Sequence, residues 1–284
     1  MRTYSVNLKK FVKITYKFLR SVGVPRHWSK TRNEQYDVHT VLVLYGLFCL
    51  ADKSYSRFVK LVEPSMKELF DLEKTPSRST LWYAWRRIQP SFLRSLVRLS
   101  GKGGKDKVGA LDPTHFQISR PSVAYCKRIK RNIYREPNRK ANIVTGTRSL
   151  RILDAVMTKD NHRSGLDDIP KLMNEWVKGK TVAADTEFDA EDRFHQLVIA
   201  AGGKGVAPLR HKNIPIHRTK GSRRKQLRRK WPGRSYHRRP LAETANSMLK
   251  RGMGETLRGR TVWQQARHFY AKCFTHNMLM RCSK

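Results

Sequence analysis

A tyrosine, an arginine, a glutamate and a lysine stand at fixed gaps toward the end of the chain, as Tyr236-x2-Arg239-x3-Glu243-x6-Lys250. From Arg193 to Ala242 the sequence has no Asp or Glu, so Glu243 is a lone acid at the edge of a basic tract. Pro240 suits the first turn of a helix, and "LAETANSMLKR" continues it to Gly252, a plausible stop. At about 100° per residue, the four positions share a stripe roughly 60° wide if the helix reaches back through its leading turn. A phenol, two cations and a carboxylate do not make a core stripe. They suit a surface that grips a phosphodiester beside a metal ion. An ordinary solvated helix face has the same spacing.

Two more carboxylates sit at suggestive places. Asp112 ends the short apolar run "VGALD", and Asp185 ends "KTVAAD". Both runs read as buried strands. In open α/β sheets, functional groups gather beyond the carboxyl ends of strands. Parallel central strands would set the two acids side by side, and like charges that close are costly without a cation. Mg2+ takes few protein oxygens and keeps positions open for water and phosphate. Taken singly, each Asp reads as a turn or cap residue, and the Asp-Pro step of "LDPT" is ordinary turn chemistry.

The rest of the sequence indicates what must hold these residues. Lys and Arg number 60 against 22 Asp and Glu, a net charge of +38 over 284 residues. Such an excess fits a protein that works beside a polyanion, with nucleic acid ahead of an anionic membrane surface. Arg193–Lys284 alone carries 23 Lys and Arg against Glu243 and Glu255. The longest apolar run, Val38–Leu50, is too short to span a bilayer and reads as a buried helix. The four cysteines, Cys49, Cys126, Cys273 and Cys282, form no CxxC pair and no zinc-ligand spacing, which fits a reducing, intracellular compartment.

Residues up to about Ser100 read as helical. A short helix after Thr75 or Ser77 carries Arg78, Trp82, Trp85, Arg86 and Arg87, which suits a helix-turn-helix; the alternative is a core pair of tryptophans with a solvated arginine face. "SGKGGKDK" (100–107) reads as a linker. An α/β pattern follows: a strand at "VGALD", a hairpin of "ANIVTG" and "LRILDAVMT", an amphipathic helix at "GLDDIPKLMNEWV", a strand at "KTVAAD", a helix closed by Gly202, a strand at "KGVAPL" and the helix after Pro240. Arg210–Arg234 is very basic and reads as a loop or arm near nucleic acid.

Gap for gap, the Tyr236, Arg239, Glu243, Lys250 pattern resembles the tyrosine–arginine–glutamate–lysine motif of bacterial and archaeal insertion-sequence transposases of the DDE class. "ALDPTHF" with Asp112 resembles their first Asp motif, and "AADTEFDAE" with Asp185 the second, over roughly 108–254. Many relatives have Lys-Gly-Tyr-Asp after the second Asp. Here Thr186-Glu187-Phe188-Asp189 stands there; the Gly-to-Glu change puts an extra acid beside the site, and Glu187 or Asp189 could substitute for that ligand or disturb it.

The resemblance implies an α/β fold: a ribonuclease-H-like mixed sheet flanked by helices, preceded by a small all-α helix-turn-helix-like domain. The domains would be 1–103 for DNA binding and 104–284 for catalysis, with a basic insertion at about 209–235. Asp112, Asp185 and Glu243 would be the catalytic acids and the ligands of two Mg2+ ions, for which Mn2+ can substitute. Tyr236, Arg239 and Lys250 would hold DNA, chiefly through phosphate. The implied partners are double-stranded DNA, as terminal inverted repeats and target, and a second copy of the chain on DNA, with no membrane. The expected place is the cytoplasm, on the nucleoid. The competing readings are a metal-dependent cellular nuclease of the same fold and an inactive domesticated DNA-binding copy. His115, His162 and His237 lie near the motifs and take no assigned role.

Overall fold

Past the glycine-rich stretch at 100–107 the sequence turns to short apolar, β-branched runs, and in the computed structural model these form a sheet. The structure describes residues 7–28, 36–72, 74–118, 127–128, 138–158, 164–211 and 213–283; Cys126 and His162 lie outside them. The strands are β1 (Val108–Ile118), β2 (Asn138–Gly146), β3 (Ile152–Met157), β4 (Thr181–Ala183), β5 (Lys204–Val206) and β6 (Thr256–Leu257). Their order is β3-β2-β1-β4-β5, with β6 on β1. β2 is antiparallel to β1 and β3, while β4 is parallel to β1 and β5 to β4. This is the mixed, ribonuclease-H-like sheet that the motif order implies.

β1 is longer than its apolar run. Asp112 does not end it, because antiparallel pairing with β2 persists from Gly109↔Gly146 to Gln117↔Asn138. Its other edge is split. β4 pairs with β1 only over Val108–Ala110, and β6 joins at Gln117 and Ile118. Asp112 and Pro113 lie in the gap. Proline has no N–H to give a ladder, and a stretch with a single partner strand tolerates it.

Both faces of the sheet are covered. On one, Leu111, Val144, Leu153, Val156 and Val182 pack on crossover residues that include Ile169, Trp176, Phe188 and Phe194. The amphipathic helix expected at "GLDDIPKLMNEWV" is broken into single turns at Gly165–Asp168, Ile169–Leu172 and Glu175–Val177. Pro170 accounts for one break, since it starts a turn but cannot continue one.

On the other face, Phe116, Ile143, Ile152 and Ala155 join the N-terminal helices in one core. These helices are α1 (Leu8–Ser21), α2 (Val38–Ala51), α3 (Tyr55–Val62), α4 (Met66–Phe70), α5 (Arg78–Arg87) and α6 (Pro90–Gly101). Ser77 caps α5 as expected. Trp85 is core: it stacks on Tyr45 at 4.6 Å and donates to the Val41 carbonyl. Arg86 covers Trp82, and Arg78, Arg86 and Arg87 are exposed. The sheet begins at Val108, and one apolar core runs from the N-terminal helices onto it. The stretch read as a linker is tied down, with Asp106 accepting from the Arg148 and Ser149 amides at 2.7 and 2.9 Å.

Four more helices follow: α7 (Gln196–Ala200), entered through a wide turn at Glu191–His195, α8 (Ser222–Arg229), α9 (Pro240–Met253) and α10 (Val262–Cys282). Gly202 closes α7 with a φ of 80°. The basic segment 210–234, expected as a loop, contains α8. α9 ends at Gly254, with a φ of 76°, rather than at Gly252.

The 21-residue α10 has no counterpart in the sequence reading. It is buried on nearly all sides, so it shows no apolar stripe. Its buried polar groups are matched. Asn277 accepts from the Ile152 amide at 2.7 Å and donates to the Ile152 carbonyl and Ser100 Oγ. Lys272 Nζ donates to the Gly254 and Thr256 carbonyls at 2.7 and 2.9 Å, fixing the end of α9. Thus Asn277→Leu removes the partner of the Ile152 amide and the amide donors to the Ile152 carbonyl and Ser100 Oγ. It is expected to lower unfolding free energy by about 2–4 kcal/mol, read as a lower urea midpoint; an unchanged midpoint would show that α10 does not anchor β3.

Candidate active site

The last register pair between β1 and β4 is Ala110↔Ala183. Asp112 and Asp185 each lie two residues further along parallel strands. Side chains alternate with a period of two, so the two carboxylates are brought to the same side of the sheet at the gap in β1. Asp185 follows β4 as the cap of a short turn, its Oδ1 accepting from the Thr186 amide at 2.6 Å. Glu243 comes from the first turn of α9, which packs against β1 and β2.

A single guanidinium joins the three acids. Arg239 Nη1 donates to Glu243 Oε1 at 2.7 Å, and Nη2 donates to Asp185 Oδ2 at 3.0 Å. Nη2 also lies 3.6 Å from Asp112 Oδ1. Exposure is graded across the site: the Asp112 and Arg239 side chains are each 14% exposed, Asp185 47% and Glu243 57%. The site therefore opens toward solvent on the Asp185 and Glu243 side.

The electrostatics follow from this packing. Burial pushes the Asp112 carboxyl above its usual range, and Arg239 and a hydrogen bond from Asn246 hold that rise back. Burial works against the Arg239 charge, but Glu243, Asp185 and Asp112 together raise its pKa above the ordinary arginine value. Burial also raises the Tyr236 phenol. Tyr236 ends a one-turn helix at Gly233–Tyr236 just before α9, and its ring meets Trp231 edge-on at 5.1 Å.

Lys250, two turns beyond Glu243, is apart from this knot. Its Nζ lies 5.5 Å from the centre of the Phe116 ring. His115, whose pKa is lowered by burial and then by Lys140 and Lys250, is part of the same cationic neighbourhood. Of the six residues singled out by the sequence, five converge at or beside Arg239, and Lys250 extends the surface along α9.

The acids after Asp185 point elsewhere. Glu187 pairs with Lys140 at 3.2 Å and accepts from the Gly165 amide. The Asp189 side chain is fully buried. Arg224 grips it through two bonds of 2.8 Å, and the Arg210 amide donates to it at 2.9 Å. Glu191 accepts from the Arg223 and Arg224 amides at the start of α8. Asp189 and Glu191 clamp the basic segment to the chain that leaves Asp185, and the Glu187 carboxylate ties the same chain to Lys140 and Gly165.

Two residues of the site were missed from the sequence. Asn246 Nδ2 donates to Asp112 Oδ2 at 2.9 Å, and Lys140 on β2 shares the neighbourhood of His115 with Lys250. Asn246 lies three residues after Glu243, and extending the polar stripe by one turn would have found it. Lys140 carried no such signal, because its place depends on strand register.

An all-carboxylate set drawn from three elements suits a hard cation. Among the described residues no three carboxylate, imidazole or thiol groups already form a metal cage. The Arg239 guanidinium lies among these acids. The donors fit a divalent cation once that guanidinium turns to another partner.

The clamp on the basic segment has a pH signature. Burial favours neutral Asp189, but the neighbouring His195, Arg224 and Arg210 amide outweigh it and hold the carboxyl at about 2, below the ordinary 3.8. The clamp's contribution is complete above about pH 4 and lost as pH falls through about 2. At neutral pH, Asp189→Asn is expected to speed tryptic cleavage within 210–230 several-fold; equal cleavage rates would show that Asp189 does not hold the segment.

The family model for the transposase DDE domain matches residues 103–278. No curated protein and no solved structure gives a match to the chain. The matched span runs from just before the sheet into α10 and contains all three gathered acids, and the chain belongs to the family of DDE transposases.

Proposed function

We propose that this transposase cleaves DNA at the ends of its own insertion sequence and joins the freed ends to a target, with Asp112, Asp185 and Glu243 as its catalytic acids. The observation that carries the reading is the meeting of these three carboxylates, from β1, the end of β4 and α9, on the one guanidinium of Arg239. Two Mg2+ ions, or Mn2+ in their place, would be held by the three acids. When bound, they supply the activation of a water or a DNA 3′-hydroxyl and the stabilisation of the leaving oxygen.

The chain's own residues do the positioning. Asn246 fixes one oxygen of Asp112 and leaves the other toward the site. In the free protein Arg239 neutralises the acids. On DNA it exchanges them for a backbone phosphate, which frees the carboxylates for cations at the moment substrate arrives. Tyr236, just before α9, and Lys250, on α9, grip the same strand, and the clamped basic segment around α8 tracks the duplex through sequence-independent phosphate contacts. A rigid grip matters because alignment of attacking and leaving oxygens supplies much of the rate.

The helices before residue 103 form the DNA-recognition part in this reading, with the exposed arginines of α5 as its reading face. The working form is a dimer assembled on DNA, since two ends are cut together, and it acts on the nucleoid in the cytoplasm. Among the described residues no helix is long and apolar enough to cross a membrane.

The test uses duplexes carrying the inverted repeats that flank the gene, with Mg2+. Alanine at Asp112, Asp185 or Glu243 is expected to lower cleavage and strand transfer by at least about a hundredfold while duplex affinity stays within a few-fold. Strand transfer that survives Glu243→Ala would overturn the site. Cutting confined to branched or nicked DNA would instead favour a cellular nuclease.

A further inference from the structure

α1 carries a row of cations that the catalytic reading does not use. Lys9, Lys10, Lys13, Lys17 and Arg20 are all exposed. At about 100° per residue they fall within an arc of roughly 100°. The opposite side of α1 is spent on the core: Phe11, Val12, Thr15, Phe18 and Leu19 are buried. No Asp or Glu occurs anywhere in α1. The row borders a groove of about 570 Å3 between α1 and α4, where Lys9, Lys13, Lys17 and Arg20 face the single acid Glu68. Glu68 pairs with Lys9, so the positive charge of the other three is not offset within the groove lining.

We propose that this face of α1 is a further DNA-binding surface, distinct from the catalytic face and from the α5 arginines, which holds the phosphate backbone of a duplex without reading its sequence. It rests on the reading that the chain acts on DNA and adds a contact remote in sequence from the catalytic motifs. The geometry favours a duplex. Lys9 to Arg20 rises about 16 Å along the helix, and a duplex presents one phosphate charge per about 1.7 Å of its axis. A row of that length meets several phosphates at once. An anionic bilayer is the other polyanion of this charge. Helices that lie on bilayers insert an apolar face, and the apolar face of α1 is already committed to the protein core.

The test is fluorescence polarisation of the full-length chain with a labelled duplex of random sequence, over a series of salt concentrations and without divalent cations. The variant Lys13→Ala/Lys17→Ala/Arg20→Ala removes three exposed charges and leaves every core residue of α1 in place. A circular-dichroism melt that matches the wild type establishes that it folds, and the single variants serve if it does not. Each lost phosphate contact flattens the plot of log affinity against log salt by about 0.9. The triple variant is expected to lose between two and three units of slope and at least about tenfold in affinity at low salt. Wild-type slope and affinity in the triple variant would overturn the proposal. So would a variant that loses affinity for phosphatidylserine vesicles and keeps it for the duplex, which would assign the surface to a membrane. Cleavage is read separately: a chain that binds through α1 and never cuts its element ends supports this surface and sinks the catalytic reading.

Discussion

Three carboxylates in one place repel one another, and the repulsion grows as water is removed. Asp112 is mostly buried, and Asp185 and Glu243 are brought to it by separate elements. Without a cation that arrangement would spread apart or take up protons. The Arg239 guanidinium resolves the conflict from within the chain, with a fork wide enough to reach all three. Its place one turn before Glu243 makes the contact partly local. The contact to Asp185 is not local, and it depends on β4 running parallel to β1 in a register that sets the two Asp residues level.

The remainder of the fold can be understood as what keeps that register. β1 gives one edge to β2 along nearly its full length and opens the other between β4 and β6, so Asp112 has a rigid backbone and a free flank. α10 passes through the core beneath, holding β3 through Asn277 and the end of α9 through Lys272. The N-terminal helices complete that same core. On the outer side, Asp189 and Glu191 hold the basic segment close to the acids. Acidic residues thus have two kinds of place in a very basic protein: three around Arg239, and several others as anchors for the arginines around them.

Much of this was legible in the sequence, and the reasons differ from element to element. Asp185 follows a strand that is an isolated apolar run, and the motif spacing puts Glu243 and Lys250 on α9, Arg239 at its cap and Tyr236 on the one-turn helix before it. The hairpin β2–β3 showed itself as two apolar runs about a short turn. β1 was underestimated, since a run pattern stops at the first polar residues while the ladder to β2 continues through Pro113 to Gln117. α10 was missed because Lys272, His276 and Asn277 break every apolar pattern, although each is buried and hydrogen-bonded. α8 was read as a loop because its support is Glu191, some thirty residues earlier, rather than its own composition. That Arg239 would sit among the acids was not readable at all: spacing placed it beside Glu243, but only the fold brings Asp112 and Asp185 within reach.

The central claim is that Asp112, Asp185 and Glu243 share one cation site. It is tested most directly by loading the protein with Fe2+ in the presence of duplex DNA, generating hydroxyl radicals at the metal, and mapping the cut peptide bonds by mass spectrometry. The account predicts backbone cuts clustered around residues 112, 185 and 243, suppressed by excess Mg2+ and lost in Glu243→Ala. Cuts that map to other segments, or that persist unchanged under excess Mg2+, would contradict it.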